Sequence, residues 1–253
     1  MYSAFGSNRF TYLSLVVFAL VFLIFLSIVG SAESSWPVIR MFGFLVSALL
    51  LAVYLLMGLS WYWAPWRILW RRYPVLNAIC FPDLNGTWYG MTQSNWPVVS
   101  RLREAASGAQ SLDLTELSDI ELQTGEIALE VRASIFGMMV RSSVGIAGGD
   151  PMTVMVRAQK NFETNNFELF YIYRQTTSEA RGAEESKHLG ATMLEIKPGN
   201  APSMEGFYWT RRNWREGTST AGTISATRVN DQHVPADEDL IEYTRARAVE
   251  KLA

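Results

Sequence analysis

The sequence predicts a two-part chain: a pair of membrane-spanning helices, then an all-β head closed as a roughly eight-stranded antiparallel barrel. Two observations lead there. The first quarter holds two long runs without a charged residue, Tyr12 to Gly30 and Met41 to Trp66. The remainder breaks into about eight strand-like runs divided by turn signals. A count near eight with hairpin-length links favours closure, because a closed sheet leaves no edge of unpaired N–H and C=O groups.

Each apolar run matches the roughly 20 residues needed to cross a ~30 Å hydrocarbon core. A pair of helices buried in a soluble protein is the competing reading, and it must explain why neither run carries a polar face. Arg9 precedes the first run and Arg67, Arg71 and Arg72 follow the second, whereas the link Ser31 to Arg40 sets Arg40 against Glu33. Positive charge outside the hairpin places both termini in the cytoplasm. Trp61, Tyr62, Trp63, Trp66 and Trp70 suit the interfacial belt, and Arg71 and Arg72 read as snorkelling anchors. Gly30-Ser31-Ala32 has the small-residue look of a signal-peptidase site, although cleavage there leaves the second run to deliver the head to the same side. The chain divides into 1–72, the transmembrane hairpin with its juxtamembrane arginines, and 73–253, the head with a C-terminal helix.

Charge narrows the head's partners. Five of the 22 basic residues and one of the 24 acidic residues precede position 73, which leaves the head 17 basic against 23 acidic side chains. A net of −6 is unsuited to tracking long DNA or RNA, where a basic stripe is expected, but admits a small nucleotide held by a few local arginines. Cys80 is the only cysteine, so there is neither a disulfide framework nor a cysteine zinc cluster, in keeping with a reducing compartment. No metal site and no cofactor is predicted.

Within the head, Leu84 to Gly90 starts a strand after the turn signals Pro82 and Asp83. A less regular stretch, Trp96 to Glu121, follows, helical at Ser100 to Ala106 and loop-like around Gly108. Strands are expected at Glu126 to Ser134, Ile135 to Val144, Met152 to Gln159, Phe167 to Gln175, Leu189 to Ile196, Met204 to Arg212 and Thr218 to Arg228. From Pro235 the chain reads as a helix, with Asp237, Glu238 and Asp239 in its first turn and Arg245, Arg247 and Lys251 towards its end, matching the helix dipole.

Strand alternation sorts candidates for the barrel lining. Met204 to Arg212 puts Gly206, Tyr208, Thr210 and Arg212 on one face and Phe207, Trp209 and Arg211 on the other. Two assignments stand open: the polar face lines a ligand pocket, or it faces solvent while Phe207 and Trp209 form the core. Phe167 to Arg174 splits into Phe167, Leu169, Tyr171 and Tyr173 against Glu168, Phe170, Ile172 and Arg174. A barrel of this size is filled by side chains or holds one small ligand.

Two apolar spans, then Leu84-Asn85-Gly86-Thr87-Trp88-Tyr89-Gly90, then Gly206-Phe207-Tyr208-Trp209-Thr210-Arg211-Arg212-Asn213-Trp214 with Gly217 and Thr220-Ala221-Gly222: this order resembles the two-transmembrane, β-barrel effectors of bacterial anti-phage CBASS systems. The resemblance implies a lipocalin-like barrel in the cytoplasm that senses a cyclic dinucleotide made by a partner nucleotidyltransferase. It also implies membrane segments that assemble as a homo-oligomer and disrupt the bacterial inner membrane. Such a ligand needs donors for its phosphates and aromatic faces for its bases. Tyr208, Thr210 and Arg212 offer these on one strand, and Tyr171, Tyr173, Arg174, Arg141 and Arg157 are the further candidates.

Two rival readings remain. An enzyme is disfavoured because His188 and His233 lie in polar loops and no catalytic motif of recognisable spacing is present. A membrane-tethered lipocalin-like carrier of an apolar ligand differs from a nucleotide sensor in one testable respect, the presence of arginine inside the barrel. Trp88, with Gly86 and Gly90 beside it, reads as a core residue of the barrel floor in preference to a stacking platform.

Overall fold

A computed structural model of the chain describes residues 41–46, 48–49, 66–79, 81–134, 137–145, 151–161, 163–164, 166–176, 187–197 and 202–252. The first apolar run, most of the second and the Gly30-Ser31-Ala32 segment lie outside them. Backbone at 41–46 and 48–49 is helical, with Met41, Phe44, Leu45 and Leu49 exposed. Among the described residues no helix is long and apolar enough to cross a membrane.

Two short helices, α1 (Trp66–Arg72) and α2 (Val75–Ile79), lead into the head. Eight strands follow: β1 (Gly86–Ser94), β2 (Gln123–Ser134), β3 (Gly137–Val144), β4 (Met152–Lys160), β5 (Phe167–Thr176), β6 (Lys187–Lys197), β7 (Ser203–Arg211) and β8 (Ala221–Asn230). The long β1–β2 connection carries helix α3 (Trp96–Ala106) and a 3-10 turn at Leu114–Asp119. Helix α4 (Leu240–Leu252) closes the described chain.

The strands form one antiparallel sheet in the order β3-β2-β1-β8-β7-β6-β5-β4, so the first and last strands pair and the sheet curls into a nearly closed barrel. Full closure by hydrogen bonds was the expectation from strand number. Instead a seam separates β3 from β4, bridged by the Thr153 hydroxyl donating to the Val140 carbonyl. A register shift between Thr153 and Met155 bends β4 at this point, as a bulge does, and a bent strand cannot extend the ladder to its neighbour.

One end of the interior is apolar. Leu84, Trp88, Leu129, Val131, Leu169, Leu194 and Met204 are fully buried there, with Phe81 and Phe167 in edge contact at 5.2 Å between ring centroids. Each such side chain contributes roughly 1.5–3 kcal/mol on leaving water. Trp88 is the expected floor residue: its indole N–H donates to the Leu84 carbonyl at 3.0 Å, and the Arg228 guanidinium lies 5.0 Å from its ring centroid. Strand β1 enters through Gly86 at φ 121°, where any Cβ would run into the Asn230 carbonyl of β8.

Helix α1 is fastened to this end. Arg67 bonds Asp83 at 2.8 Å, Arg71 bonds Asp231 at 3.0 Å, and the Trp70 indole donates to the Phe81 carbonyl at 2.8 Å. The expectation that Trp66 and Trp70 sit in an interfacial belt and Arg71 snorkels to lipid is corrected for these residues: Trp66 is buried, and Trp70 and Arg71 bind the barrel through the Phe81 carbonyl and the Asp231 carboxylate. Lys160, the last residue of β4, donates to the Ala78 carbonyl of α2 at 3.0 Å.

Helix α4 packs outside β1, β2 and β8 through Leu240 and Tyr243, against Ala128 and Val234. It begins three residues later than its acidic cluster implied. Asp239 precedes the first turn and caps it, accepting from the Ile241 and Glu242 N–H groups at 2.9 and 3.0 Å. Helix α3, by contrast, starts earlier than expected, at Trp96, because Asn95 exchanges bonds with Ala221 across the mouth of the barrel.

Candidate ligand-binding site

At the end of the barrel away from α1 the lining turns polar, and the strand register explains how. Tyr171, Thr192 and Tyr208 stand side by side on β5, β6 and β7, and Tyr173, Gly190 and Thr210 form the next row outward. Beyond them Gln175 pairs with His188, and the His188 Nε2 lies 3.3 Å from an Arg212 guanidinium nitrogen. Thr210 and Thr220 share a hydroxyl–hydroxyl bond of 2.9 Å.

Of the two assignments left open for β7, the structure takes the polar one. Thr210 is buried and Tyr208 half-buried, whereas Phe207 and Trp209 are 61% and 51% exposed on the outer surface. Tyr171 and Tyr173 face inward with them, their rings 5.9 Å apart and tilted by 43°. Five of the eight candidates therefore converge on one polar interior: Tyr171, Tyr173, Tyr208, Thr210 and Arg212.

The other three point away. Arg174 follows Tyr173 by one residue, so the pleat turns it outward, and it is exposed. Arg157 is exposed on the outer face of β4. Arg141 lies on the outer side of β3, 3.6 Å from Glu130, a carboxylate on the outer face of β2 that also takes Arg132 at 2.8 Å. Its inward neighbours, Val140 and Ser142, are buried.

His188 was missed by sequence. The sequence pattern starts the strand at Leu189 and leaves His188 in a loop, whereas β6 starts at Lys187 and brings His188 into phase with Gly190, Thr192 and Leu194; it is 3% exposed. The two glycines matter as voids: a Cβ at Gly190 would overlap the Tyr173 ring, and one at Gly222 would press on Tyr208 and on the Gln93 carbonyl.

Burial raises the pKa of Tyr171 above its ordinary value, against the lowering effect of hydrogen bonds with Thr192 and Ser142. It raises that of Tyr173 as well, reinforced by Tyr171 and Tyr208 and opposed by Arg212. Both phenols therefore stay protonated at neutral pH and act as donors. Phenol donors, threonine hydroxyls and one guanidinium beside aromatic faces match an anionic, planar-ringed guest. Among the described residues no group of His, Cys, Asp or Glu is arranged to hold a metal.

Comparison with known proteins adds one finding. The chain is similar to a CD-NTase-associated protein. Over 219 residues, 85% of this chain and 92% of the relative, it is 23% identical to CD-NTase-associated protein 15 of Escherichia albertii. No family model matches the sequence, and no solved structure does.

Proposed function

We propose that the protein is an anti-phage defence effector of the CBASS type: a membrane-anchored chain whose cytoplasmic barrel binds a cyclic dinucleotide in its polar end and so controls assembly of its N-terminal segments in the bacterial inner membrane. The observation that carries this reading is Arg212 on the interior side of the barrel beside Tyr173 and Tyr208. An apolar carrier has no use for a guanidinium there, whereas an anionic guest finds in it a charge-assisted donor. Similarity to a CD-NTase-associated protein along most of both chains supports a nucleotidyltransferase as the source of the ligand. The charge-free runs at 12–30 and 41–66 and the exposed apolar side chains Met41, Phe44, Leu45 and Leu49 support the membrane anchor.

Calorimetric titration of the full chain in detergent micelles with cyclic di- and trinucleotides tests the sensor. Saturable binding is expected with at least one of them. Absence of binding across the series rejects the nucleotide reading.

A further inference from the structure

The outer face of β5, β6 and β7 carries an ordered pattern that the interior site does not use. Strand register sets its residues in four rows across the three strands. The two middle rows are apolar: Ile172, Ala191 and Trp209 in one, Phe170, Met193 and Phe207 in the next. Met155 extends the first of these onto β4 and is 52% exposed. One flanking row holds Arg174, Leu189 and Arg211, and the opposite one Glu168, Glu195 and Glu205. Apolar surface of this continuity, including an exposed Trp and Phe two residues apart, marks an interaction site rather than scattered surface hydrophobics.

The signs of the flanks decide the occupant. A lipid surface or a polyanion would favour one sign of charge across the face, whereas this face carries arginines along one side and carboxylates along the other, of which Glu205 is the exposed one. We propose that it docks a second copy of the chain. A twofold axis lying in the interface and running across the strands, between the Trp209 and Phe207 rows, exchanges the flanks. Arg211 of one copy then lies over Glu205 of the other, and Trp209 over Phe207, with the two sheets facing each other as in aligned sheet packing. An axis along the strands would instead set arginine against arginine. Arg211 and Glu205 are both exposed, and Glu205 already holds Lys197 at 2.5 Å, so its carboxylate is positioned before the partner arrives. The interface lies on the outside of the barrel and is independent of any interior ligand.

Sedimentation of the full chain in detergent micelles, without nucleotide, tests the proposal. The wild type is expected to show a concentration-dependent dimer, and Trp209→Ser to raise its dissociation constant about tenfold or more. R211E and E205R are each expected to weaken association, and the double variant R211E/E205R to restore it, because the swap re-establishes the pairing. Unchanged thermal melting of each variant separates loss of contact from loss of fold. A wild type that stays monomeric overturns the proposal, as do single reversals without effect. Weakening by W209S with no rescue by the charge swap also overturns it and assigns the face to lipid or detergent.

Discussion

Gly190 and Tyr173 are paired across β6 and β5, and the tyrosine ring occupies the place a side chain on residue 190 would take. The ring is thereby drawn into the barrel's polar end, where Tyr171, Tyr208 and Arg212 surround it. Gly190→Ala is expected to displace the ring at a cost of about 1–3 kcal/mol, the usual penalty for overpacking. Urea denaturation of the detergent-solubilised chain measures it, and an unshifted midpoint would show that the ring has room to move aside.

The inward and outward arginines make a matched control. Arg212→Ala is expected to weaken nucleotide binding by about 1.5–3 kcal/mol, roughly ten- to hundredfold, as loss of a charge-assisted hydrogen bond does. Arg174→Ala, on the opposite face of its strand, is expected to leave the affinity within error. Equal losses in the two variants would place the ligand outside the barrel.

Glu130 fastens the segment before α4. It is 1% exposed and receives Arg132, Arg141, His233 and the Val234 N–H. Burial alone would raise its pKa, yet the bonds to His233, Arg132 and Val234 outweigh it and hold the carboxyl below its ordinary 4.5. A depressed folded pKa means that its stabilisation is complete above pH 4.5 and fades as pH falls through the lower folded value. Glu130→Gln is expected to cost about 3 kcal/mol at neutral pH, since it leaves Arg132 facing an uncharged amide. The gap between variant and wild type should narrow on acidification, and thermal melts at pH 7 and below pH 4 read both effects.

Asn85 ties the entry of β1 to β2. It is fully buried, accepts from the Ala133 N–H at 2.7 Å and donates to Asp83 at 2.8 Å. Asn85→Ala strands that N–H without a partner and is expected to cost about 1–3 kcal/mol. Because Asp83 is also the partner of Arg67, the variant should speed hydrogen exchange in α1 as well as in β2; protection unchanged in α1 would show that the two contacts are independent.

The strand set was legible because turn signals and period-two alternation agree along most of the head. Phe167 to Gln175 alternates cleanly into two faces, of which the one carrying Phe167, Leu169, Tyr171 and Tyr173 is the buried one. Arg174 was grouped with Tyr173 although neighbours on a strand cannot share a face, so the alternation itself argued against it. Arg141 and Arg157 lie where Met138 and Met139, or Val154 and Met155, are apolar on both faces, and there the period is silent about direction. His188 was hidden by a strand boundary set two residues late. The seam was not legible at all: β3 and β4 follow one another with only residues 145–151 between them, and two consecutive strand-like runs with a short link read as an ordinary hairpin.

That seam makes the barrel a cut ring rather than a welded one. A welded barrel has its bore set by strand number and stagger, both whole numbers, and cannot change by degrees. In a cut ring, β3 and β4 slide or part at the expense of side-chain contacts such as Thr153 on Val140, while the seven strand pairings elsewhere are kept. The bore is thus not tied to the whole-number geometry that full strand pairing imposes. Since β4 ends in Lys160, whose ammonium donates to the Ala78 carbonyl of α2, the strand that borders the cut is also the one tied to the stalk by which the chain enters its barrel.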